Sequence, residues 1–134
     1  MAGVFKPAGE IERQQHDWGV FAPFSSPADG AERIMGVEAI FLPGKFHDFH
    51  RHPNQEEVIY VLEGQIEQWV EREQRMLGPG DAVVIPAAVV HASFNVGEEP
   101  AKIVAVLSPC VGEAGYEVED VAGEEPWRSL RGGS

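Results

Sequence analysis

From residue 34 to residue 107, short apolar runs alternate with turn residues, and this pattern limits the fold more than any other feature of the chain. The runs are rich in Val, Ile, Phe, Tyr and Trp, which favour strands, and no helical period appears between them. Gly and Pro in the breaks are typical of tight turns. The predicted strands are 33–41, 46–52, 57–62, 65–71, 82–85, 91–96 and 102–107. Many short strands at this spacing predict an all-β antiparallel sandwich or barrel, and their number fits a jelly roll.

The length of 134 residues predicts a single domain with a core at about 33–108. An N-terminal arm, 1–32, mixes Pro, Gly, Ser and charge with isolated aromatic residues, so we expect it to dock on the core. The C-terminal tail, 109–134, is acidic and rich in Gly. One helical turn is predicted to start at Pro126, with Trp127 and Leu130 as its anchors.

Charge and composition restrict the partners and the compartment. Twenty-two acidic residues against ten Lys and Arg give a net charge of -12, and no basic cluster is present, so we expect no nucleic acid partner. The apolar runs are too short to cross a bilayer and the N-terminus lacks a leader pattern, which predicts a cytoplasmic protein without membrane association. Cys110 is the only cysteine, so an internal disulfide is impossible, and we expect a small buried hydrophobe there.

Three histidines and one glutamate form the set that carries chemistry. His50 and His52 are two residues apart on a predicted strand, so their side chains leave the same face. Glu57 follows a predicted turn at residues 53–54, and His91 begins a later strand. Three imidazoles and one carboxylate suit one divalent transition metal ion, with Fe2+ as the first expectation and Mn2+, Zn2+, Ni2+, Co2+ or Cu2+ as alternatives. His50, His52, Glu57 and His91 are therefore the predicted metal ligands.

Glu56 competes with Glu57 for the ligand role, because a one-residue slip of the strand exchanges the two faces. Glu57 is favoured by the six-residue gap to Gly64 and by the apolar run that continues the strand. In this register Ile59 and Val61 face the interior. Three apolar residues then face outward and predict a covered surface, either a second sheet or a partner subunit: Val58, Tyr60 and Leu62.

Other polar residues near this set have weaker predictions. Asp48 shares the face of His50, so its carboxylate either orients an imidazole or is solvated at the rim. His16 and His47 are predicted to be ordinary surface or core histidines. The longer polar residues that lie near the predicted mouth are Arg51 and Gln68. No general acid or base is identified.

The spacing of these residues resembles the two conserved motifs of the cupin superfamily. Gly44-x5-His50-x-His52-x4-Glu57-x6-Gly64 resembles the first motif, and Gly80-x5-Pro86-x-Ala88-x2-His91-x3-Asn95 resembles the second. Ala88 stands where the pattern usually has Gly, which a negative φ at that position would tolerate. The resemblance is to small single-domain metal-binding cupins of the RmlC-like jelly-roll type. It implies a double-stranded β-helix with the metal inside its mouth, and commonly a homodimer.

The resemblance also implies a function on a small-molecule substrate. The first hypothesis is a metal-dependent oxidoreductase of the dioxygenase type, acting on thiols, diketones or phenols. The second is a non-oxidative isomerase, decarboxylase or lyase acting on sugars, uronates or organic acids, with the metal as a Lewis acid. The third is a non-catalytic binding or sensing module. The sequence alone does not choose among these reactions.

Overall fold

A computed structural model describes residues 3–132 and shows two antiparallel sheets packed face to face. The six-stranded sheet contains β1 (Gln14–His16), β2 (Gly19–Ser25), β3 (Met35–Phe41), β5 (Glu56–Glu63), β8 (Ala82–Ile85) and β10 (Ala101–Ser108), in the order β1-β2-β3-β10-β5-β8. The five-stranded sheet contains β4 (Phe46–Arg51), β6 (Ile66–Val70), β7 (Glu73–Leu77), β9 (His91–Phe94) and β11 (Glu119–Asp120), in the order β11-β4-β9-β6-β7. The predicted all-β jelly-roll fold is confirmed.

Each predicted strand has a counterpart in the structure, and four further strands were not predicted: β1, β2, β7 and β11. Strand β7 has the sequence Glu-Gln-Arg-Met-Leu, which lacks the β-branched residues that typify strands, and it is held by pairing with β6. Strand β11 has only two residues and exists because it pairs with β4. These strands depend on their neighbours more than on their own composition.

The segment expected to be an N-terminal arm contributes a hairpin to the six-stranded sheet. Strand β1 pairs with β2, and β2 pairs with β3. Gly19 begins β2 at φ 146°, and a Cβ added there would lie 1.8 Å from the carbonyl oxygen of Ile40. The hairpin therefore packs directly on the β3 backbone, and only glycine permits that approach.

The core lies between the sheets, and its residues alternate along β5 and β10. In β5, Ile59 and Val61 are buried while Tyr60 and Leu62 are exposed, as the sequence register predicted. Strand β10 lies between β3 and β5, and every second one of its residues is buried. Cys110 packs at the margin of this core, consistent with a small hydrophobe. Within residues 3–132, no helix is long and apolar enough to span a membrane.

The C-terminal tail covers the outer face of the five-stranded sheet. The predicted helical turn is present as α1 (Trp127–Leu130). Trp127 and Leu130 pack against a cluster that contains Phe49 and Phe94 of the sheet and Val121 of the tail. The Trp127 and Phe49 rings are stacked with centroids 5.8 Å apart. Strand β9 is therefore buried on both faces, and β4 is buried on this side at Phe49.

Candidate metal centre

The four predicted ligands come from both sheets and meet between them. His50 lies near the end of β4 and is paired with His91, the first residue of β9. His52 follows β4 directly, and Glu57 is the second residue of β5 in the opposite sheet. The connection between β4 and β5 is only four residues long, so His50, His52 and Glu57 are brought together by one tight crossover.

The donor atoms of these side chains are close enough to share one ion. One ring nitrogen from each of His50, His52 and His91 lies within 4.8 Å of the other two. Glu57 Oε1 is 3.1 Å from His52 Nε2 and 2.9 Å from His91 Nε2. Two ligands about 2.1 Å from an ion at a right angle are about 3 Å apart, so these separations match a shared ion.

Backbone carbonyls set the tautomer of each imidazole. The Nδ1 atoms of His50 and His52 are each 2.6 Å from a carbonyl oxygen, those of Asp48 and Glu117 respectively. His91 Nδ1 is 3.0 Å from the carbonyl oxygen of Val89. Because a carbonyl oxygen only accepts, each Nδ1 carries a hydrogen, and in the neutral ring each Nε2 presents a lone pair. This is the usual arrangement around metal-binding histidines.

Two donor atoms at the centre have no hydrogen-bond partner within the described chain. Glu57 Oε1 and His91 Nε2 are both buried, and although they are 2.9 Å apart, their orientation does not form a hydrogen bond. Leaving two such atoms unpaired away from water is costly. A cation between them removes that cost, so the residues fit a metal ion on structural grounds.

Electrostatics keep the Glu57 carboxylate and the His50 imidazole in the states that bind a metal. Burial alone would raise the pKa of Glu57, but the His52 and His91 imidazoles outweigh it and hold the pKa below its usual range. Burial lowers the pKa of His50 to about 3, so this ring is neutral at pH 7. Burial also lowers the pKa of His52, but Glu57 outweighs that effect and raises it overall.

The two adjacent glutamates differ in burial and in the direction they face. Glu57 is 8% exposed and faces the three imidazoles, whereas Glu56 is exposed to solvent. Asp48 does orient an imidazole, but through its backbone carbonyl; its carboxylate accepts a hydrogen bond from the Phe49 backbone N–H. Ala88 adopts φ 69°, so the negative φ that would have tolerated alanine is not what the backbone adopts. Its N–H donates to the His52 carbonyl oxygen over 3.0 Å.

A cavity of about 460 Å³ opens next to the four ligands. Its inner wall is the apolar face of the six-stranded sheet, and Trp18 and Tyr116 contribute from segments outside the two motifs. His47 also lines the cavity, with its ring 4.4 Å from Trp18 and 4.7 Å from Phe41 between centroids. It is therefore a wall residue, which differs from the surface or core role expected of it. Burial lowers its pKa to about 4.

Sequence reasoning missed Gln55, which holds the segment 109–117 over the site. Its side-chain amide donates to the carbonyl oxygens of Pro109 and Gly115, and its Oε1 accepts from the Glu117 N–H at 3.0 Å. Glu117 in turn supplies the carbonyl that orients His52. The partners of Gln55 are more than 50 positions away, so no local pattern signals its role.

A sequence profile of the cupin domain matches residues 37–107, more than half of the chain. This chain belongs to the cupin family. It is 40% identical over 76 residues to the polyketide synthase CurC of Streptomyces cyaneus, covering 57% of this cupin and 49% of that protein. It is 30% identical over 99 residues to the quercetin 2,3-dioxygenase of Bacillus subtilis strain 168, covering 74% and 25% respectively. The match thus spans half or less of these curated relatives.

A solved structure resembles this cupin over nearly its whole length. The polyketide cyclase RemF from Streptomyces resistomycificus superimposes with a TM-score of 0.74 at 22% identity, covering 96% of this chain and 94% of that one. At this identity the likeness establishes the fold alone. The full coverage includes the N-terminal hairpin and the C-terminal tail, which lie outside the two sequence motifs.

Proposed function

We propose that this cupin is a metal-dependent enzyme acting on a small organic molecule, with one divalent transition metal ion, Fe2+ first, held by His50, His52, Glu57 and His91. The observation that carries the proposal is the convergence of buried, unpartnered donor atoms at the end of an open cavity. When bound, such an ion supplies Lewis acidity and, if it is iron, redox exchange with dioxygen.

The chain's own residues prepare the site for chemistry. The carbonyls of Asp48, Val89 and Glu117 fix the three imidazole rings, so little reorganisation is needed when the ligands are engaged. Four protein ligands leave up to two positions of a six-coordinate ion for exogenous molecules. The apolar wall of the six-stranded sheet excludes water from the side of the cavity where substrate would lie.

The first reaction we propose is of the dioxygenase type. It is supported by the 30% identity to quercetin 2,3-dioxygenase over 74% of this chain. The test is oxygen uptake by iron-loaded protein with a panel of diketones, phenols and thiols. Uptake in proportion to substrate consumed is the expected result. No uptake by fully iron-loaded protein across the panel would contradict the proposal, and the zinc-loaded protein serves as the redox-inert control.

The second candidate is a non-oxidative reaction in which the ion polarises a substrate oxygen. The 40% identity to the polyketide synthase CurC supports it, because that name describes a synthetic reaction. Turnover by the zinc form under argon would support this candidate and exclude the oxygenase for the same substrate. Turnover that requires both iron and oxygen would exclude it.

We also propose a homodimer formed through the outer face of the six-stranded sheet. Tyr60 is 45% exposed and Val84 71% exposed there, and Tyr60 is opposite Val104 while Val58 is opposite Val84 and Val106. These side chains form one continuous apolar surface that the chain's own tail does not cover. Light scattering should give twice the chain mass for the wild type and a single chain mass for Tyr60→Lys. A monomeric wild type at high micromolar concentration would contradict the dimer.

A further inference from the structure

The charges that line the cavity disfavour an anionic substrate. Within the described residues, no Lys or Arg side chain lines it, whereas Glu57, Asp48 and Asp120 do. Arg51 is close in sequence, but it pairs with Glu119 on the exposed side of β4. A divalent ion and the Glu57 carboxylate together carry one positive charge, which the two rim carboxylates outweigh. A substrate carboxylate would find no guanidinium or ammonium partner here.

The walls of the cavity suit a flat apolar body. One wall is the buried face of the six-stranded sheet, where Val37, Ala105 and Ile59 lie side by side on neighbouring strands. Aromatic rings from separate segments close another side. Trp18 is held against His47 and Phe41, and Phe21 lies 5.8 Å from Tyr116. A flat sheet face and aromatic rings favour a planar ring system by area burial and ring packing.

Polar groups are concentrated at one end of the cavity and at its rim. Beside the metal ligands, the buried polar groups are the His47 imidazole, whose ring packs on Trp18 and Phe41, and the Ser93 hydroxyl, which already donates to Gln68 Oε1 over 2.6 Å. Other polar lining residues, such as His16 and Asp120, are exposed at the entrance. A sugar needs several buried hydrogen-bond partners along its length, and the apolar wall does not provide them.

We infer that the substrate is an uncharged planar aromatic compound with a hydroxyl or carbonyl oxygen at one end, such as a polycyclic phenol or an aromatic 1,3-diketone, and that it is not a carboxylate or a sugar acid. The oxygen lies toward the four ligands and the rings lie between the aliphatic sheet face and Trp18. This inference rests on the proposed function and specifies the substrate class of the same site. The volume of about 460 Å³ accommodates two to three fused rings.

The test uses zinc-loaded full-length protein and isothermal titration with three probes. The probes are 2-naphthol, 2-naphthoate and galacturonate, of which the first two share one ring system and differ in charge. We expect 2-naphthol to bind at least about 10-fold more tightly than 2-naphthoate, and galacturonate not to bind. Equal or tighter binding of either carboxylate would overturn the inference.

Two variants locate the bound ring. Trp18→Leu and Tyr116→Leu should each weaken 2-naphthol binding by about 5-fold or more while the zinc affinity stays unchanged. Phe5→Leu, at an aromatic residue that is 99% exposed and away from the cavity, should change neither quantity. Thermal melting identifies a variant that fails to fold. In that case the 2-naphthol affinity of the other variant tests the inference. Unchanged 2-naphthol binding in a folded variant would overturn the inference that these aromatic side chains contact the substrate.

The experiments distinguish an error in the proposed function from an error in the inferred substrate class. If zinc and iron do not bind, the metal-dependent enzyme is excluded, and the same titrations on the metal-free protein still decide the substrate class. A preference for 2-naphthol over 2-naphthoate there would support the inference, and the reverse preference would overturn it.

Discussion

The outer faces of the two sheets differ in how they are covered. On the five-stranded sheet, Trp127 and Val121 of the C-terminal tail pack on Phe49 and Phe94. On the six-stranded sheet, Tyr60 and Val84 remain exposed. Both faces carry an apolar patch, but only the patch on the five-stranded sheet is buried by the C-terminal tail. The comparison indicates that one sheet is complete within a single chain and that the other has a face available to a partner.

This difference matters for the candidate metal centre because its predicted ligands are divided unequally. His50 and His91 lie in the covered sheet and His52 follows it directly, whereas Glu57 alone comes from the exposed sheet. Phe49 alternates with His50 on β4, so the tail packs on the back of the strand that carries the histidines. The imidazoles therefore lie on the more constrained side of the site, and the carboxylate lies on the other.

The largest expected effect comes from removing one ligand from each sheet. His52→Ala and Glu57→Gln should each reduce bound metal from about one equivalent to less than a tenth, with a loss of affinity of at least about 100-fold. Elemental analysis of protein purified without chelator measures this. Glu56→Gln is the matched control, since Glu56 is exposed and should leave metal content unchanged. Metal retained in Glu57→Gln would mean that the covered sheet holds the ion alone.

The next effect is the pH dependence contributed by His47, which lies on the cavity side of β4. Burial lowers its folded-state pKa to about 4 from 6.5, so the unfolded chain binds more protons between those values. The unfolding free energy of metal-free protein should therefore fall as the pH falls from about 6.5 to about 4. A shift of this size is equivalent to about 3 kcal/mol.

Urea titrations across this pH range provide the measurement, with His47→Gln as the variant. The variant should lose about 3 kcal/mol less than the wild type over the window. His16→Gln, at an exposed histidine, serves as the control and should keep the wild-type dependence. A His47→Gln profile parallel to that of the wild type would contradict a neutral, buried His47.

A third prediction compares the two outer faces directly. Trp127→Ala should lower the unfolding free energy by about 2 kcal/mol, because it removes a ring that stacks on Phe49. Val84→Ala on the exposed face should change the free energy of the monomer by less than about 0.5 kcal/mol. Urea unfolding at low protein concentration measures both. Equal losses would mean that the two faces are covered alike in solution.

The smallest effect concerns Ala88, in the connection between the two sheets. Its φ of 69° is unfavourable for a residue with a Cβ by about 1 kcal/mol, and Ala88→Gly removes this strain. Glycine also gives the unfolded chain more conformational freedom, which lowers the unfolding free energy by about 0.4–1 kcal/mol and offsets the relief of strain. The net change in unfolding free energy should stay within about 0.5 kcal/mol, with metal affinity unchanged. A stabilisation above about 1.5 kcal/mol would indicate additional strain in this turn.

Local patterns in the sequence were enough to predict the strands that carry the site and the register of Glu57. Alternation with a period of two places Glu57, Ile59 and Val61 on one face, because a one-residue slip would bury Glu56 and expose Ile59. His50 near the end of β4 and His52 just beyond it follow the same rule. Residues 50–57 contain three of the four candidate ligands, so the spacing within this short segment is enough to predict most of the candidate site.

Only the tertiary structure decided what surrounds the ligands. Trp18, Tyr116 and Gln55 reach the site through contacts with residues far away along the chain. Local hydrophobic periodicity does not predict such contacts. Strand β11 has too few residues to be read from composition and exists through its pairing with β4. The candidate ligand set was therefore predictable from short-range periodicity, whereas the cavity beside it depends on how distant segments pack.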